Sequence, residues 1–382
     1  MKYDYIIGGA GLAGLTLAWQ MIESKLLENK QLLLIDADSK QSNDRTWSFW
    51  SEPKMWITDL PIKQSWDRAI VRGKDFDLTQ SLSPYRYYNI RGIDYYQFVF
   101  NKLNKHPQVT FIQDVIVSED EENKCVHTEK TSFYYDSYFF KSYFFPDQLK
   151  SMNVTGKHFI WQHFYGWKIQ TDHAVFNPSE ITYMDMQVPE VKGGLSFAYI
   201  LPTSEDQALV EFTLFSADLW TKEEYETALK NYIHQNLGLQ DFKVLDEEFN
   251  KIPMTTAILS KRNKSIVPIG TIAGTVKPST GYSFVRNFYH IQQIIKVLEG
   301  KSNNFDIKSS SRFRFYDEVL LNVLITEKRT GHEVFGNLYK KNKLPLLLKF
   351  LNEDTNLLED LKIMNTVPKW SFIKAVAEEV IS

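Results

Sequence analysis

A glycine loop near the start of the chain, Gly9-x-Gly11-x-x-Gly14, constrains the fold more than any other stretch of the sequence. The apolar run that ends at residue 7 predicts a buried strand, and residues 15–21 carry the apolar pattern of a helix. In this order, Gly9 permits a tight turn and Gly11 lets the backbone approach a pyrophosphate. Gly14 lets the helix pack closely on the strand. The loop therefore predicts a strand–turn–helix unit with a phosphate site.

A second apolar run, residues 31–36, predicts a neighbouring strand that ends in Asp36. A carboxylate at this position is placed to hold a ribose hydroxyl of a dinucleotide. The helix N-terminus between the two strands supplies free N–H groups and a positive dipole end to the phosphates. We therefore interpret residues 1–36 as a dinucleotide-binding βαβ unit, with a purely structural βαβ unit as the alternative.

The size and charge of the chain limit the remaining choices. A length of 382 residues predicts more than one domain, because hydrophobic cores stop growing beyond about 250–300 residues. The net charge of −3 and the charged fraction of 24% do not indicate a nucleic-acid partner. With 26 Phe, 20 Tyr and 9 Trp, the chain has the aromatic surface for a large core or for a long apolar cavity.

Disulfides, metals and membrane spans are not indicated by the sequence. Cys125 is the single cysteine, and the eight histidines lack metal-ligand spacing, so we expect no metal site. Met1 runs directly into the first strand, which leaves no room for a signal peptide. No apolar run reaches the ~18 residues that a transmembrane helix requires. We expect an intracellular protein that is soluble or bound to a membrane surface.

The strand and helix patterns predict three regions in an α/β fold. Strands and a helix that belong with the glycine loop form a discontinuous Rossmann-like nucleotide-binding domain, residues 1–64, 85–150 and 255–310, which the analogy with flavoproteins makes an FAD-binding domain. Residues 65–84 and 151–254 form an inserted antiparallel β-sheet substrate domain, and residues 311–382 form a helical C-terminal region. This is the arrangement of flavoproteins similar to p-hydroxybenzoate hydroxylase, which is an inference by analogy.

Particular elements follow from local signals. Residues 109–117 alternate as one strand, and residues 220–237 predict a helix with Thr221 as its N-cap. A later helix is expected over residues 281–298, and a mostly helical tail over residues 316–380. The tail is expected to be broken at its two prolines, Pro345 and Pro368.

A dense aromatic segment, residues 44–50 with the sequence Asp-Arg-Thr-Trp-Ser-Phe-Trp, follows the second strand. Ligands of doubly wound sheets bind at this edge. Arg45 could meet a phosphate or the edge of a flavin, while Trp47, Phe49 and Trp50 could line a pocket. The alternative is a surface loop that is held in place by tryptophan packing.

Two further segments carry candidate site residues. In residues 270–282, Gly274 and Gly281 allow a close backbone approach to a flavin. In residues 208–215, alternation places Glu211 on one face of a strand with its apolar neighbours at positions i±2. An apolar setting would raise the pKa of the Glu211 carboxyl and keep it protonated near neutral pH, whereas a solvent-facing strand would leave it ordinary.

These segments together resemble lycopene cyclases of the bacterial β type. The glycine loop, residues 44–50, residues 209–213 and residues 270–282 carry the resemblance, supported by residues 162–167, 176–185 and the tail from residue 350 to 368. Thr271 follows Gly270, as in these cyclases, whereas flavin hydroxylases and halogenases usually carry Asp there. The segment Asp136-Ser-Tyr-Phe139 departs from the flavin pattern, so it receives no cofactor role.

The resemblance implies a lycopene β-cyclase that binds FAD, works with it reduced by NAD(P)H, and closes the linear ends of lycopene or a related acyclic carotenoid. It implies Glu211 as the proton donor of a non-redox isomerisation, while Asp185 is expected to be structural. The implied cofactor-binding residues are Gly9, Gly11, Gly14, Asp36, Arg45, Gly270, Gly274, Pro278 and Gly281.

Two other functions and one location remain as expectations. An FAD-dependent hydroxylase or prenyl reductase that acts on a large apolar substrate is the main alternative, and a non-catalytic flavin or carotenoid carrier is a third. We expect a cytoplasmic protein that is peripheral at the inner face of the cytoplasmic membrane. Residues 338–351 combine cations with apolar residues as an interfacial segment would. An ordinary packed helical hairpin is equally consistent with them.

Overall fold

The computed structural model describes residues 2–144, 158–257, 259–307, 309–326 and 329–381. The strands, numbered in chain order, are β1 Lys2–Gly8, β2 Leu32–Asp36, β3 Thr46–Ser51, β4 Gln64–Trp66, β5 Arg68–Gly73, β6 Phe76–Ser81, β7 Arg86–Arg91, β8 Val109–Gln113, β9 Ile116–Asp120, β10 Cys125–Thr128, β11 Ser132–Lys141, β12 Phe159–Gln170, β13 Glu180–Asp185, β14 Leu195–Pro202, β15 Gln207–Ser216, β16 Lys243–Thr255 and β17 Ile266–Pro268. The helices are α1 Leu12–Glu23, α2 Met55–Thr58, α3 Gly92–Leu103, α4 Lys222–Gln235, α5 Phe284–Leu298, α6 Ser311–Ile325, α7 Gly331–Lys341, α8 Leu344–Leu351, α9 Leu357–Met364 and α10 Lys369–Ile381.

The first sheet is the predicted nucleotide-binding sheet. Its strand order is β8-β2-β1-β11-β10-β9, with β17 beside β11, and the strands β8, β2, β1, β11 and β17 are parallel. The inner strands are buried on both faces, as parallel sheets covered by helices require. Residues 109–117, predicted as one strand, form the two strands β8 and β9. They are separated at Asp114, whose backbone N–H donates to the Asp36 carbonyl.

The second sheet forms the wall of the site. Its order is β16-β12-β15-β14-β13-β5-β6, and all of its pairs are antiparallel except β13 with β5. Helix α4 covers one face, and its start confirms Thr221 as the N-cap: the hydroxyl accepts from Glu224 N–H in a reciprocal capping box. A small third sheet has the strand order β3-β7-β4. The domain boundaries drawn from the sequence stay a prediction.

Helices α6 to α10 cover the other face of the second sheet. The first of these helices begins at Ser311, the first residue of the predicted helical region, although the helical pattern in the sequence was predicted only from residue 316. Pro345 lies in the first turn of α8, and Pro368 directly precedes α10. At these positions a backbone N–H has no partner within the helix, so proline costs no helical hydrogen bond. Each proline therefore marks the start of a helix, in agreement with the predicted breaks.

Residues 338–351 do not form an exposed interfacial segment. They comprise the end of α7 and all of α8, and Leu344, Leu347 and Leu348 are buried in the core beneath them. Among the described residues of the helical region, the exposed large apolar side chains lie instead on α9 and α10, where Leu358 is 80% and Trp370 82% exposed. The alternation of cations and leucines in the sequence could not distinguish a packed helix from an interfacial one.

Close packing of α7 on β14 gives a direct test of how the helical region is attached. A Cβ on Gly331 would lie 2.2 Å from the Gly194 carbonyl oxygen, whereas one on Gly336 in the same helix would have 3.7 Å to its nearest neighbour. Gly331→Ala should therefore destabilise the fold by about 1–3 kcal/mol through overpacking. Gly336→Ala should stabilise it by about 0.5–1 kcal/mol through helix propensity. Opposite shifts in thermal midpoint are expected, and equal shifts would contradict this packing.

Candidate active site

The first turn of the glycine loop is held tightly against the sheet. Gly9 has φ 98°, in the left-handed region, and its N–H donates to the Ile35 carbonyl at 2.7 Å. A Cβ on Gly14 would lie 1.9 Å from the Gly9 carbonyl oxygen, so helix α1 can approach this turn only because residue 14 is glycine. The close packing of helix on strand that the sequence predicts is present.

The phosphate end of the loop is open. Gly11 is the N-cap of α1, no side chain caps the helix there, and a Cβ on Gly11 would meet nothing within 4 Å. The N–H groups of the first turn are therefore directed at open space, where an anion can be bound. The carboxylate of Asp36 accepts the N–H groups of Ala10 and Asp38 and pairs with Lys40 at 3.3 Å. It thus lies beside the open loop.

The second glycine motif lies against the first. The chain forms a 3₁₀ turn over Gly270–Ala273 after β17, and a Cβ on Gly270 would be 2.9 Å from the Ala13 Cβ of helix α1. Gly274 has φ 78° and open space at its Cβ position. The two motifs, far apart in sequence, therefore border one region, which fits a single extended cofactor.

The turn that follows contains Pro278 and carries a buried cation. Its backbone closes through the Gly281 N–H to the Lys277 carbonyl at 2.8 Å, so helix α5 begins at Phe284 rather than at residue 281 as predicted. Lys277 is buried and donates to Asp317 at 2.8 Å and to Glu353 at 3.1 Å. These ion pairs attach the turn to the helical region.

Arg45 is oriented by its neighbour in the sequence. Its guanidinium pairs with Asp44 at 2.8 Å, and the Asp44 carboxylate also accepts the Tyr96 hydroxyl at 2.6 Å. The two tryptophans that follow have different surroundings. Trp47 lines the cavity described below, while Trp50 is buried and donates its indole N–H to the Leu348 carbonyl at 3.2 Å. From Thr46 onward the segment is thus a packed strand, β3, and not a surface loop.

A cavity of about 590 Å³ lies where the three parts of the chain meet. It is bounded by the start of β3, by residues 279–284, by the inner face of the second sheet and by helices α6 to α10. The lining is mostly apolar and aromatic, with few polar groups, as in sites for small apolar molecules. This cavity is the candidate active site.

Glu211 stands on the wall of the cavity. Leu209, Glu211, Thr213 and Phe215 all line it, and the alternate residues of β15 pack towards α4, so the predicted alternation is confirmed. Glu211 is 8% exposed, and its carboxyl has no hydrogen bond to any of the described residues. Burial, and secondarily the charge of Glu248, raise the pKa of Glu211 well above its usual 4.5.

A glycine stands between two carboxyls in one row of the sheet. Gly166 of β12 is in register with Glu211 on one side and with Glu248 of β16 on the other. A Cβ on Gly166 would lie 2.5 Å from the Glu211 Cγ, so the glycine leaves the space that the Glu211 side chain uses. Sequence reasoning missed Glu248, because only the register of three strands brings it into this row.

Tyrosines form a second feature that the sequence did not indicate. The hydroxyl of Tyr199, which is in register with Glu211, donates to Tyr87 at 2.6 Å, and Tyr87 and Tyr282 share a hydrogen bond of 2.7 Å. Burial raises the pKa of Tyr87 and of Tyr199 well above 10, so both remain neutral phenols. The high tyrosine content gave a general signal, but not these positions.

Asp185, the predicted structural carboxylate, lies away from the cavity. Asp185 is buried, accepts the Tyr232 hydroxyl at 2.8 Å and pairs with Arg72 at 3.4 Å, outside the cavity lining.

Within the ranges that the structure describes, no cluster of His, Cys, Asp and Glu side chains could hold a metal ion. None of the helices in those ranges combines the length and hydropathy needed to cross a bilayer.

Comparison with known proteins gives a family and a fold. The family described as "lycopene cyclase protein" matches residues 4–377. Similar solved structures include the flavin-dependent brominase Bmp2, with 13% identity, 99% of each chain covered and a TM-score of 0.60. A geranylgeranyl bacteriochlorophyll reductase-like protein from Thermoplasma acidophilum has 13% identity, coverage of 99% and 96%, and a TM-score of 0.58. No curated protein matches. The α/β fold is therefore that of flavin-dependent enzymes, as predicted.

The burial of Glu211 has a measurable consequence for stability. Because its pKa is raised in the folded state, the carboxyl stays protonated while that of the unfolded chain ionises, so stability falls as the pH rises above about 4.5. Glu211→Gln removes this dependence. The thermal midpoint of the variant should equal that of the wild type in acid and exceed it progressively towards neutral pH.

Glu247→Gln is the matched control for this measurement. Glu247 lies on the same strand as Glu248, is about half exposed, and has a lowered pKa because Tyr165 and Lys222 donate to its carboxylate. Its replacement should therefore give a small loss of stability above its pKa, the opposite sign. A difference between Glu211→Gln and wild type that is constant with pH would show that Glu211 titrates as a solvated carboxyl.

Proposed function

The chain belongs to the lycopene cyclase family, and from this premise we propose that it closes the linear ends of lycopene, or of a related acyclic carotenoid, into β-ionone rings. Lycopene would yield γ-carotene and then β-carotene. One observation carries the proposal: a single carboxyl without hydrogen-bond partners among the described residues, Glu211, is buried in the wall of a mostly apolar cavity. Such a group is suited to donate a proton to an apolar substrate.

The proposed reaction is an isomerisation that Glu211 starts. Its carboxyl O–H protonates the terminal double bond of the substrate, which leaves a tertiary cation at the adjacent carbon. The neighbouring alkene attacks this cation and closes the ring, and loss of one proton forms the ring double bond. One proton enters and one leaves, so the product has the same composition as the substrate and no electrons are transferred.

The walls of the cavity suit the cationic intermediates. Aromatic faces stabilise positive charge, and the cavity presents those of Trp47, Tyr87 and Tyr199 among others. Neutral tyrosines and apolar side chains also exclude water, which would otherwise capture the cation as an alcohol. The side chains of this chain would thus hold the substrate, supply the proton and protect the intermediate.

FAD is the cofactor that we propose for the region bordered by the two glycine motifs. The uncapped start of α1 and the open space at Gly11 fit a pyrophosphate, and Asp36 lies beside that space for a ribose. Gly270, Gly274, Pro278 and Gly281 would border the rest of the cofactor, with Arg45 near its edge. When bound and reduced, with NAD(P)H as the reductant, FAD would supply negative charge that favours a developing cation.

An FAD-dependent oxidoreductase acting on a large apolar substrate is the second candidate. The fold similarity to a brominase and to a reductase-like protein favours it. Such a reaction would consume one NAD(P)H for each product molecule, whereas the cyclisation would consume no NAD(P)H per ring once the flavin is reduced. Counting NAD(P)H against product therefore separates the two functions.

We further propose that the protein docks on a membrane through helices α9 and α10. Their exposed side chains include Leu357, Leu358, Trp370 and Ile373, and three residues of this face, Leu361, Ile373 and Val376, also line the cavity. The apolar face and the entrance are therefore continuous, as transfer of a carotenoid from a bilayer requires. Exposed cations flank this face and would contact anionic headgroups: Lys362, Lys369 and Lys374. The expected location is the inner face of the cytoplasmic membrane.

Glu211→Gln is the direct test of the acid. The amide has nearly the same shape and is neutral, as the protonated carboxyl is, so the fold and the bound flavin should be retained. It has no acidic proton to donate, so the rate of ring formation should fall by at least about 10²–10⁴-fold. The measurement is chromatography of pigments formed from lycopene with reduced FAD, and Glu247→Gln should keep wild-type activity. A rate within about threefold of wild type in Glu211→Gln would assign the acid to another group.

Membrane docking is tested by charge placed on the proposed face. The double variant Leu358→Glu and Trp370→Glu should lose flotation with anionic vesicles and lose activity on lycopene held in them. Activity on detergent-dispersed lycopene should remain, because neither residue lines the cavity. Val117→Glu, at a residue 49% exposed on β9, is the matched control and should still float. Equal flotation of the two variants would remove α9 and α10 as the docking face.

A further inference from the structure

The row of the sheet that contains Glu211 holds a second carboxyl. Glu248 on β16 and Glu211 on β15 are both in register with Gly166 on the strand between them. Residues in register on adjacent strands point to the same face, so the two side chains lie on the cavity side of the sheet. With glycine between them, no intervening side chain separates the two carboxyls.

The two carboxyls have different surroundings. Burial raises the pKa of Glu248, but two groups oppose this rise: the backbone N–H of Thr46, which Glu248 accepts at 2.8 Å, and the guanidinium of Arg45. Glu211 has no donor among the described residues and faces the apolar cavity. Hydrogen bonds and a nearby cation stabilise the ionised form of a carboxyl, so Glu248 is the member of the pair that ionises first.

We propose that Glu248 is a positioning residue for the proton donor: its carboxylate, fixed by Thr46, acts across the gap that Gly166 leaves and adds to burial in keeping Glu211 protonated. This inference rests on the proposed function, since it concerns the proton that Glu211 donates. Two carboxyls in one row cannot both ionise easily, because their charges would repel each other. With the charge held on Glu248 by a backbone N–H, Glu211 keeps its proton and is the acid. Glu248 itself does not line the cavity.

The other charged groups around Glu211 do not supply this effect. On β14, Tyr199 is a neutral phenol, and on helix α6 the carboxyl of Asp317 is paired with the buried Lys277. Arg45 is paired with Asp44 at the start of β3. On β16, Asp246 is exposed to solvent and acts on Glu248 more than on Glu211. Glu248 is therefore the anion in register with the acid.

The arrangement also connects the acid to the region proposed for the cofactor. Thr46 directly follows Arg45 and begins β3, whose next residues line the cavity beside the turn at residues 279–284. The backbone N–H that fixes Glu248 thus belongs to the segment that borders the cofactor side of the cavity. A shift of this strand would release Glu248 and change the proton affinity of Glu211.

The pH profile of ring formation tests the proposal. Activity should fall as the pH rises through the pKa of Glu211, because only the protonated acid donates. In Glu248→Gln the neighbouring charge is absent, so this fall should move to lower pH by about one unit. Glu248→Asp keeps the charge and should lie closer to wild type. Glu247→Gln, whose side chain points to the opposite face and pairs with Lys222, should leave the midpoint unchanged.

An infrared measurement tests the same pKa without activity. The C=O band of protonated Glu211 is isolated by subtracting the spectrum of the same protein with Glu211→Gln added. This band should disappear at a lower pH in Glu248→Gln than in the wild type. An unmoved midpoint in folded, flavin-binding Glu248→Gln would overturn the proposal, as would a loss of rate that is equal at every pH. Absence of ring formation in the wild type would contradict the proposed function instead, and the infrared midpoints would still decide the role of Glu248.

Discussion

A carboxylate loses hydration free energy of several kcal/mol when it enters an apolar wall, and the surroundings of Glu211 reflect that constraint. Its side chain occupies space that only a glycine at position 166 leaves, and none of the described residues hydrogen-bonds to its carboxyl. In the proposed arrangement the negative charge of the row lies on Glu248, whose carboxylate accepts the backbone N–H of Thr46. The remaining neighbours are neutral tyrosines and apolar side chains. The result is a carboxyl that keeps its proton near neutral pH next to an apolar cavity.

That cavity exists only because three parts of the chain are held together. The second sheet supplies the wall with Glu211, β3 and the turn at residues 279–284 supply a second side, and the helical region closes the space. Buried ion pairs of Lys277 with Asp317 and Glu353 attach that turn to the helices. Because breaking such a buried pair leaves an uncompensated charge, the three parts are expected to lose their order together.

Local signals in the sequence were sufficient to predict much of the fold and the orientation of Glu211. The glycine loop required a strand, a tight turn and a helix, and alternation along β15 was sufficient to direct Glu211 into the cavity. Thr221 marked the start of its helix because capping depends on neighbours in sequence. Strand register is non-local, so the row with Glu248 could not be found. The exposed face on α9 and α10 was missed because residues 338–351 show the same pattern in sequence but are packed.

Ring formation in deuterated water tests the central claim, that Glu211 donates a proton and no net redox occurs. With lycopene and catalytic NAD(P)H, the protein should give β-carotene that carries one deuterium for each ring closed, on the carbon that received the proton. Glu211→Gln should form almost none of it. The reductant should not fall in proportion to product. A hydroxylated, halogenated or saturated carotenoid that forms with one NAD(P)H consumed per molecule would contradict the account.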